Sequence, residues 1–363
     1  MSKIESLSDL FDLVGCQADY YDIGRHISKI TPTQVMQFDL KQQPYPFTFK
    51  QQAWLAIVLT PNKKVSNKQT TNAEPIIWFV RLAVDEQGCL NLGTRDHLIK
   101  TIIDKILVKD DTTDLSDALK DNPYAFQPDH ERMASFHSTL SLELGHPPSN
   151  YFHDLIHFFN SDFDKEDISW QSLGLQGIAD LAVRAKDANY APLIEKVLLN
   201  APIPLAGALA IALEHEKPST DYLHFVETIY PKISNIKMKV ALLRSISKVA
   251  PTDNMMQSIK SSLTHSNQES DAQGTDEQLE LIVVIIAKCP YWLNLDEELL
   301  HLCMENLACR DDGFLAFSQI ASELSQLPMV RGTLWTLFRS EHRSQQLSKA
   351  IGSLFTKAPS QVQ

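Results

Sequence analysis

What the chain of 363 residues lacks narrows its class before any motif is weighed. No stretch approaches the roughly 18 consecutive apolar residues of a membrane span. The longest apolar run, Leu281-Ile-Val-Val-Ile-Ile-Ala287, reads instead as a buried helix. Glu5 and Asp9 fall where a secretory signal would be apolar, so no signal is expected. Cysteine is scarce: Cys16, Cys89, Cys289, Cys303 and Cys309 are scattered, odd in number and without a Cys-x-x-Cys knuckle. That pattern excludes a disulfide framework and predicts a reduced, cytoplasmic protein. No Gly-rich phosphate loop follows a strand, and no Gly-x-Ser-x-Gly elbow is present. Positive charge is in deficit, with 33 Lys and Arg against 45 Asp and Glu, a net charge of -12. A nucleic-acid backbone is therefore not the expected main partner, because that task needs clustered Lys and Arg. The remaining composition, 44% hydrophobic and 21% charged, is that of an ordinary soluble globular protein.

What is present divides the chain. Residues 1–108 predict a small α+β domain, an antiparallel sheet with covering helices. Leu7, Leu10, Phe11 and Val14 recur at helical spacing behind Ser6. Asp22, Arg25 and His26 lie close together and read either as a polar site or as the end of a strand. Gln34 to Leu40 alternates loosely and is expected as a strand. Ala53 to Leu59 and Ile76 to Asp85 are stronger strands. The polar stretch between them, Pro61 to Pro75, is expected as a mobile hairpin loop. Thr94 to Leu107 reads as a covering helix with Thr94 as its cap.

Residues 109–129 read as an acidic linker, with Asp110, Asp111, Asp114, Asp117 and Asp121. They lack the Gly and the closing Glu of a calcium loop. Residues 130–357 predict a ladder of amphipathic helices, and residues 358–363 a disordered tail. Breakers such as Ala201-Pro-Ile-Pro204 and Pro218-Ser-Thr-Asp221 separate the helices. Thr275-x-x-Gln278 suggests a capping box ahead of Leu279. Alternate helices start near Trp170, Ile203, Asn235, Glu277, Gly313 and Gln345, roughly 32 to 42 residues apart, which is the period of two-helix solenoid repeats. A HEAT-like array is expected; the alternative is an irregular bundle of the same helices.

One constellation suggests chemistry. His130, His137, His146, His153 and His157 crowd one segment. His153 and His157 stand four apart on one predicted helix, the spacing of the zinc-binding His-Glu-x-x-His helix, with Asp154 in place of Glu. Zinc hydrolysis would need a third ligand and an open position for water. His137, His146 and Glu166 are the candidates, and the spacing singles out none of them. The competing reading is a packed aromatic helix edged by histidines. His301, Cys303 and Cys309 form a looser group, with the two cysteines on different helix faces.

Several blocks resemble an uncharacterised gammaproteobacterial domain-of-unknown-function family. They are Asp22-Ile-Gly-Arg25, Tyr45-Pro-Phe47, the Ala53-Trp54 strand, Trp78-Phe-Val-Arg-Leu-Ala-Val-Asp-Glu-Gln-Gly88, Arg95-Asp96 and Gln176-Gly-Ile-Ala-Asp-Leu-Ala182. The resemblance spans most of the chain and implies a bacterial source. It implies no activity, and it transfers no catalytic residue. Three classes of function remain as expectations. The first is an adaptor that binds a protein partner with its helical surface. The second is a metal-dependent hydrolase with His153 and His157 as zinc ligands. The third is a nucleic-acid-associated repeat protein, which would need Lys232, Lys237, Lys239, Arg244 and Lys248 to form a stripe.

Overall fold

The computed structural model describes residues 4–61, 75–108, 122–160, 169–264, 272–310 and 312–356. Two compact units divide the chain, Met1–Arg132 and Met133–Gln363. The expected hairpin loop, the acid-rich part of the expected linker and the expected tail lie outside the described residues, at 62–74, 109–121 and 358–363.

The first unit is built on a four-stranded antiparallel sheet of β1 (Cys16–Asp22), β2 (Ser28–Ile30), β3 (Gln52–Pro61) and β4 (Ile76–Ala83). Its strand order is β2-β1-β3-β4. Because side chains alternate along a strand, Ala53, Leu55, Ile57 and Leu59 of β3 share a face with Trp78, Val80 and Leu82 of β4. Three helices cover that face. They are α1 (Leu7–Leu13), α2 (Pro32–Asp39) and α3 (Leu92–Val108), which contribute Phe11, Phe38 and Ile102 to the core. Each large side chain so buried stabilises the unit by about 1.5–3 kcal/mol. Ser6 caps α1, its hydroxyl accepting the Asp9 N–H at 3.0 Å.

Two local expectations are corrected. Residues 34–40, expected as a strand, fall instead in helix α2 up to Asp39, with Leu40 as its C-cap. Thr31 and Gln34 form a reciprocal capping box there, and Pro32 sits in the first turn with its φ already helical. The cap of α3 is Asn91 rather than Thr94: the Asn91 carboxamide accepts the Thr94 N–H at 3.1 Å. The latter part of the expected linker lies against the sheet, where the Arg81 N–H donates to the Tyr124 carbonyl and the Phe126 N–H to the Phe79 carbonyl.

The second unit is helical throughout its described residues. It begins within α4 (His130–Glu143), at Met133, and continues with α5 (Asn150–Asn160), α6 (Leu175–Ala182), α7 (Ala191–Asn200), α8 (Ile203–Leu213) and α9 (Thr220–Ile229). Then follow α10 (Ile236–Ser245), α11 (Asp253–Thr264), α12 (Ala272–Lys288) and the four-residue α13 (Trp292–Leu295). It closes with α14 (Glu297–Ala308), α15 (Leu315–Ser325), α16 (Pro328–Arg339) and α17 (Gln345–Thr356). Helix α8 is apolar nearly all round, as a helix enclosed by others must be. It packs against α6, α7 and α10. Trp292 is fully buried, and its indole N–H donates to the Val249 carbonyl at 2.9 Å. Two starts differ from expectation. Trp170–Ser172 is a separate 3-10 turn, and α6 begins after Gly174. Helix α12 begins at Ala272, which puts Thr275 inside it; the Gln278 side chain donates instead to the Leu263 carbonyl at 2.8 Å.

Candidate functional site in the helical unit

The histidine segment is placed as follows. His153 and His157 both stand on the exposed face of α5, while Phe152, Leu155, Phe158 and Phe159 form its buried face. His130 and His146 are exposed as well. His137 is half-buried, and burial holds its imidazole below the usual range. Among the described residues no three His, Cys, Asp or Glu side chains gather as a group able to hold a metal. Cys303 is wholly buried, its thiol pushed up to about 12 by burial, whereas Cys309 is exposed. Glu166 lies outside the described residues.

Beside α5 lies a polar knot. The Asp180 carboxylate accepts the Ser138 hydroxyl at 2.7 Å and the Ser149 N–H at 2.9 Å, which fastens the start of α5 to α6. Gln176 donates to the Ser138 hydroxyl oxygen at 2.7 Å. A Cβ on Gly177 would fall 2.4 Å from the Tyr151 carbonyl oxygen, so only glycine permits this approach of α6 to α5.

A cluster of charges lies at the end of α8. Glu214 is buried, 1% exposed, at the C-cap of that helix. Its carboxylate meets the Arg244 Nε at 2.5 Å and the Lys288 Nζ at 2.8 Å, with the His215 Nε2 at 3.7 Å. Burial alone would raise its pKa, but Lys288, His215 and Arg244 outweigh burial and hold it well below the usual carboxylate range. Glu214 on α8, Arg244 on α10 and Lys288 on α12 thus tie three helices together. Of the five cations considered for a basic stripe, Arg244 serves this pair and Lys248 donates to the His215 carbonyl. Lys239 lies over the Tyr230 ring at 5.3 Å and donates to Ser262. Lys232 and Lys237 are exposed.

A cleft of about 400 Å³ opens next to this layer, between the N-terminal ends of α7 and α9. Ile194 and Leu213 line it with apolar surface. Tyr222 lines it too, its hydroxyl donating to Ser245 at 2.8 Å. Glu195, Glu216 and Asp221 bring carboxylates to the lining, and Lys186 and Lys217 bring ammonium groups. Sequence reading passed over Glu214-His215-Glu216. The available signal was their position directly after a helix apolar on every side, which carries charged residues to the edge of the core.

The architecture is that of an α+β protein in which a small antiparallel sheet unit precedes a helical unit. The chain belongs to a family of proteins of unknown function, DUF3549, whose pattern matches residues 2–355. No curated protein and no solved structure matches it. The two most distinctive blocks both have structural roles. Trp78, Val80 and Leu82 fill the sheet core, while the Arg81 guanidinium lies 5.1 Å from the ring centres of both Trp54 and Phe126. Asp85 takes the N–H groups of Gln87 and Cys89 into the turn that follows and pairs with Lys41 at 2.7 Å. Gly88, at φ +79°, completes the turn and accepts the Tyr45 N–H at 2.8 Å. The second block holds Gln176, Gly177 and Asp180 of the polar knot. Among the described residues no helix is long and apolar enough to cross a membrane.

Proposed function

We propose that the protein is a non-enzymatic adaptor that binds another protein along a HEAT-like array formed by its helical unit. The observation that supports this reading most is the order of packing. Helices α6, α8, α10, α12, α14 and α16 each pack against the next member of that series. Such neighbour-to-neighbour contact suits a repeat array, in which helix pairs bury their apolar stripes jointly and leave an extended surface for a partner. The step from array to adaptor is an analogy from fold. The net charge of -12 favours a partner with a basic face, since complementary charge steers association. A cytoplasmic location suits the five free thiols.

The test is a pull-down with the tagged full-length protein from a lysate of its source organism, at gentle and at moderate salt. One protein recovered at constant stoichiometry, in smaller amount as salt rises, is the expected result. Recovery of no stable partner at gentle salt would remove the adaptor reading.

A further inference from the structure

The cleft between α7 and α9 has a chemistry that the adaptor reading does not use. Its volume of about 400 Å³ falls in the range of small-molecule sites. Ile194 and Leu213 are 1% and 3% exposed and make its floor apolar. The Tyr222 hydroxyl is already spent on Ser245, whose own hydroxyl donates to the Leu242 carbonyl. The half-buried Glu216 belongs to the same lining. Its carboxylate accepts no hydrogen bond and forms no ion pair among the described residues. Lys248 and Lys186 attract it only from a distance, Glu143 repels it, and burial raises its pKa. A half-buried charge without a direct partner is incompletely solvated, and a ligand of opposite charge recovers part of that cost.

We propose that this cleft binds an organic cation, an ammonium or guanidinium group on an aliphatic stem, with the charge at Glu216 and the stem against Ile194, Leu213 and Tyr222. Glu195 and Asp221 reinforce the preference for positive charge, and with Glu216 they disfavour an anion. Lys186 and Lys217 are both exposed, so their ammonium groups have water available to them. The apolar floor selects a stem over a bare inorganic ion, and among the described residues these carboxylates do not converge as a group able to hold a metal. Two sources share this chemistry: a free amine, and the Lys or Arg side chain of a protein. The inference is independent of the adaptor reading and is tested without any partner protein.

Titration calorimetry on the full-length protein uses two probes, agmatine and the peptide acetyl-Gly-Arg-Gly-amide, with the citrulline form of that peptide as a neutral control. The expected result is saturable one-to-one binding of at least one cationic probe. Glu216→Gln is expected to weaken it about tenfold or more, the usual cost of losing a charged hydrogen-bond partner. Ala188→Trp, which adds an indole at the lining while leaving the carboxylate in place, is expected to abolish it. Agmatine binding without peptide binding assigns the site to a free amine. Peptide binding assigns it to a basic side chain, and both outcomes support a cation site. The unfolding midpoint of Glu216→Gln is expected to match or exceed the parent, because an unpaired charge has been removed, so lost binding is not lost folding. No saturable heat from either cationic probe up to about 1 mM, the weak end of specific binding, overturns the proposal. So does equal affinity for the citrulline peptide, or an unchanged affinity in Glu216→Gln.

Discussion

Asp22 in the sheet unit and Glu214 in the helical unit are buried to the same depth and held by opposite means. In the sheet unit, Asp22 is 1% exposed and is held by neutral donors, the Tyr45 hydroxyl at 2.7 Å and the Gly24 N–H at 3.2 Å. Asp39 is wholly buried, takes the Leu7 N–H at 2.7 Å, and has the Arg95 guanidinium 3.6 Å from its carboxylate. Burial dominates both, and their pKa values rise to about 7 and about 6. In the helical unit, Glu214 is as deeply buried but faces two cations directly, and its pKa falls. Dipoles satisfy hydrogen-bonding capacity without repaying the desolvation of a full charge, whereas adjacent cations do repay it. Tight places differ as well. The sheet unit keeps two successive non-glycine residues, Lys50 and Gln51, at φ +49° and +58° in a turn. The helical unit has one such residue among those described, Phe314 at φ +65°, and a tight spot between helices at Gly177.

The sharpest way to break this contrast is Glu214→Gln. It leaves Arg244 and Lys288 facing one another without their shared anion. A loss of about 3 kcal/mol is expected, the low end for a broken buried pair because both cations keep some access to water. Hydrogen exchange read by mass spectrometry should show the loss in peptides of the helical unit and not in those of the sheet. Gly177→Ala comes next, with a loss of about 2–3 kcal/mol from a clash against backbone that cannot turn aside. Urea denaturation measures it, and a loss below about 0.5 kcal/mol would mean that α6 and α5 can part freely.

The third prediction concerns pH. A carboxylate whose folded pKa is raised contributes stability that is complete below its unfolded value and is lost as pH rises through the folded value. Asp22 and Asp39 therefore make the sheet unit gain stability on acidification from pH 7 towards pH 5, on the order of 2 kcal/mol. Glu214 has the opposite sign. Its contribution is complete above the ordinary glutamate range and is lost as pH falls through its depressed folded value. Exchange protection followed across this range should therefore rise in the sheet unit and hold in the helical unit, and Asp22→Asn should flatten most of the rise. The smallest effect is expected of Gln51→Gly, a gain of about 1 kcal/mol by relief of the left-handed backbone. The thermal midpoint reports it, and a decrease would show that the turn is not strained.

How far the sequence could be read depended on whether the deciding signal was local. Ser6 as a cap, the β3 and β4 strands and most helices of the second unit depend on period and punctuation within a few residues, and these were legible. Residues 34–40 look strand-like because Met36, Phe38 and Leu40 alternate with Gln37 and Asp39, but the Thr31-Pro32-x-Gln34 start signal decides for a helix. Strands β1 and β2 were obscured because Asp19, Asp22 and Lys29 interrupt their apolar pattern. At the candidate site, Glu216 and Tyr222 are neighbours across a helix break and could be noticed. Arg244, Ser245 and Lys288 are brought to α8 only by tertiary packing, which no spacing encodes.

The strand order carries a consequence for timing. Strand β1 pairs with β3 over the whole of Cys16–Asp22, while the nearest strand in the chain, β2, covers only Tyr20, Tyr21 and Asp22. On a growing chain, Ala18 and Asp19 wait unpaired until Leu59 and Val58 have been made. The apolar β3 then waits in turn for β4. The sheet unit is synthesised before the helical unit, yet it depends on distant pairings, which close slowly. The helical unit, built from near neighbours, can fold as it emerges. Of the two units, the one made earlier is therefore the one that stands longer in need of protection.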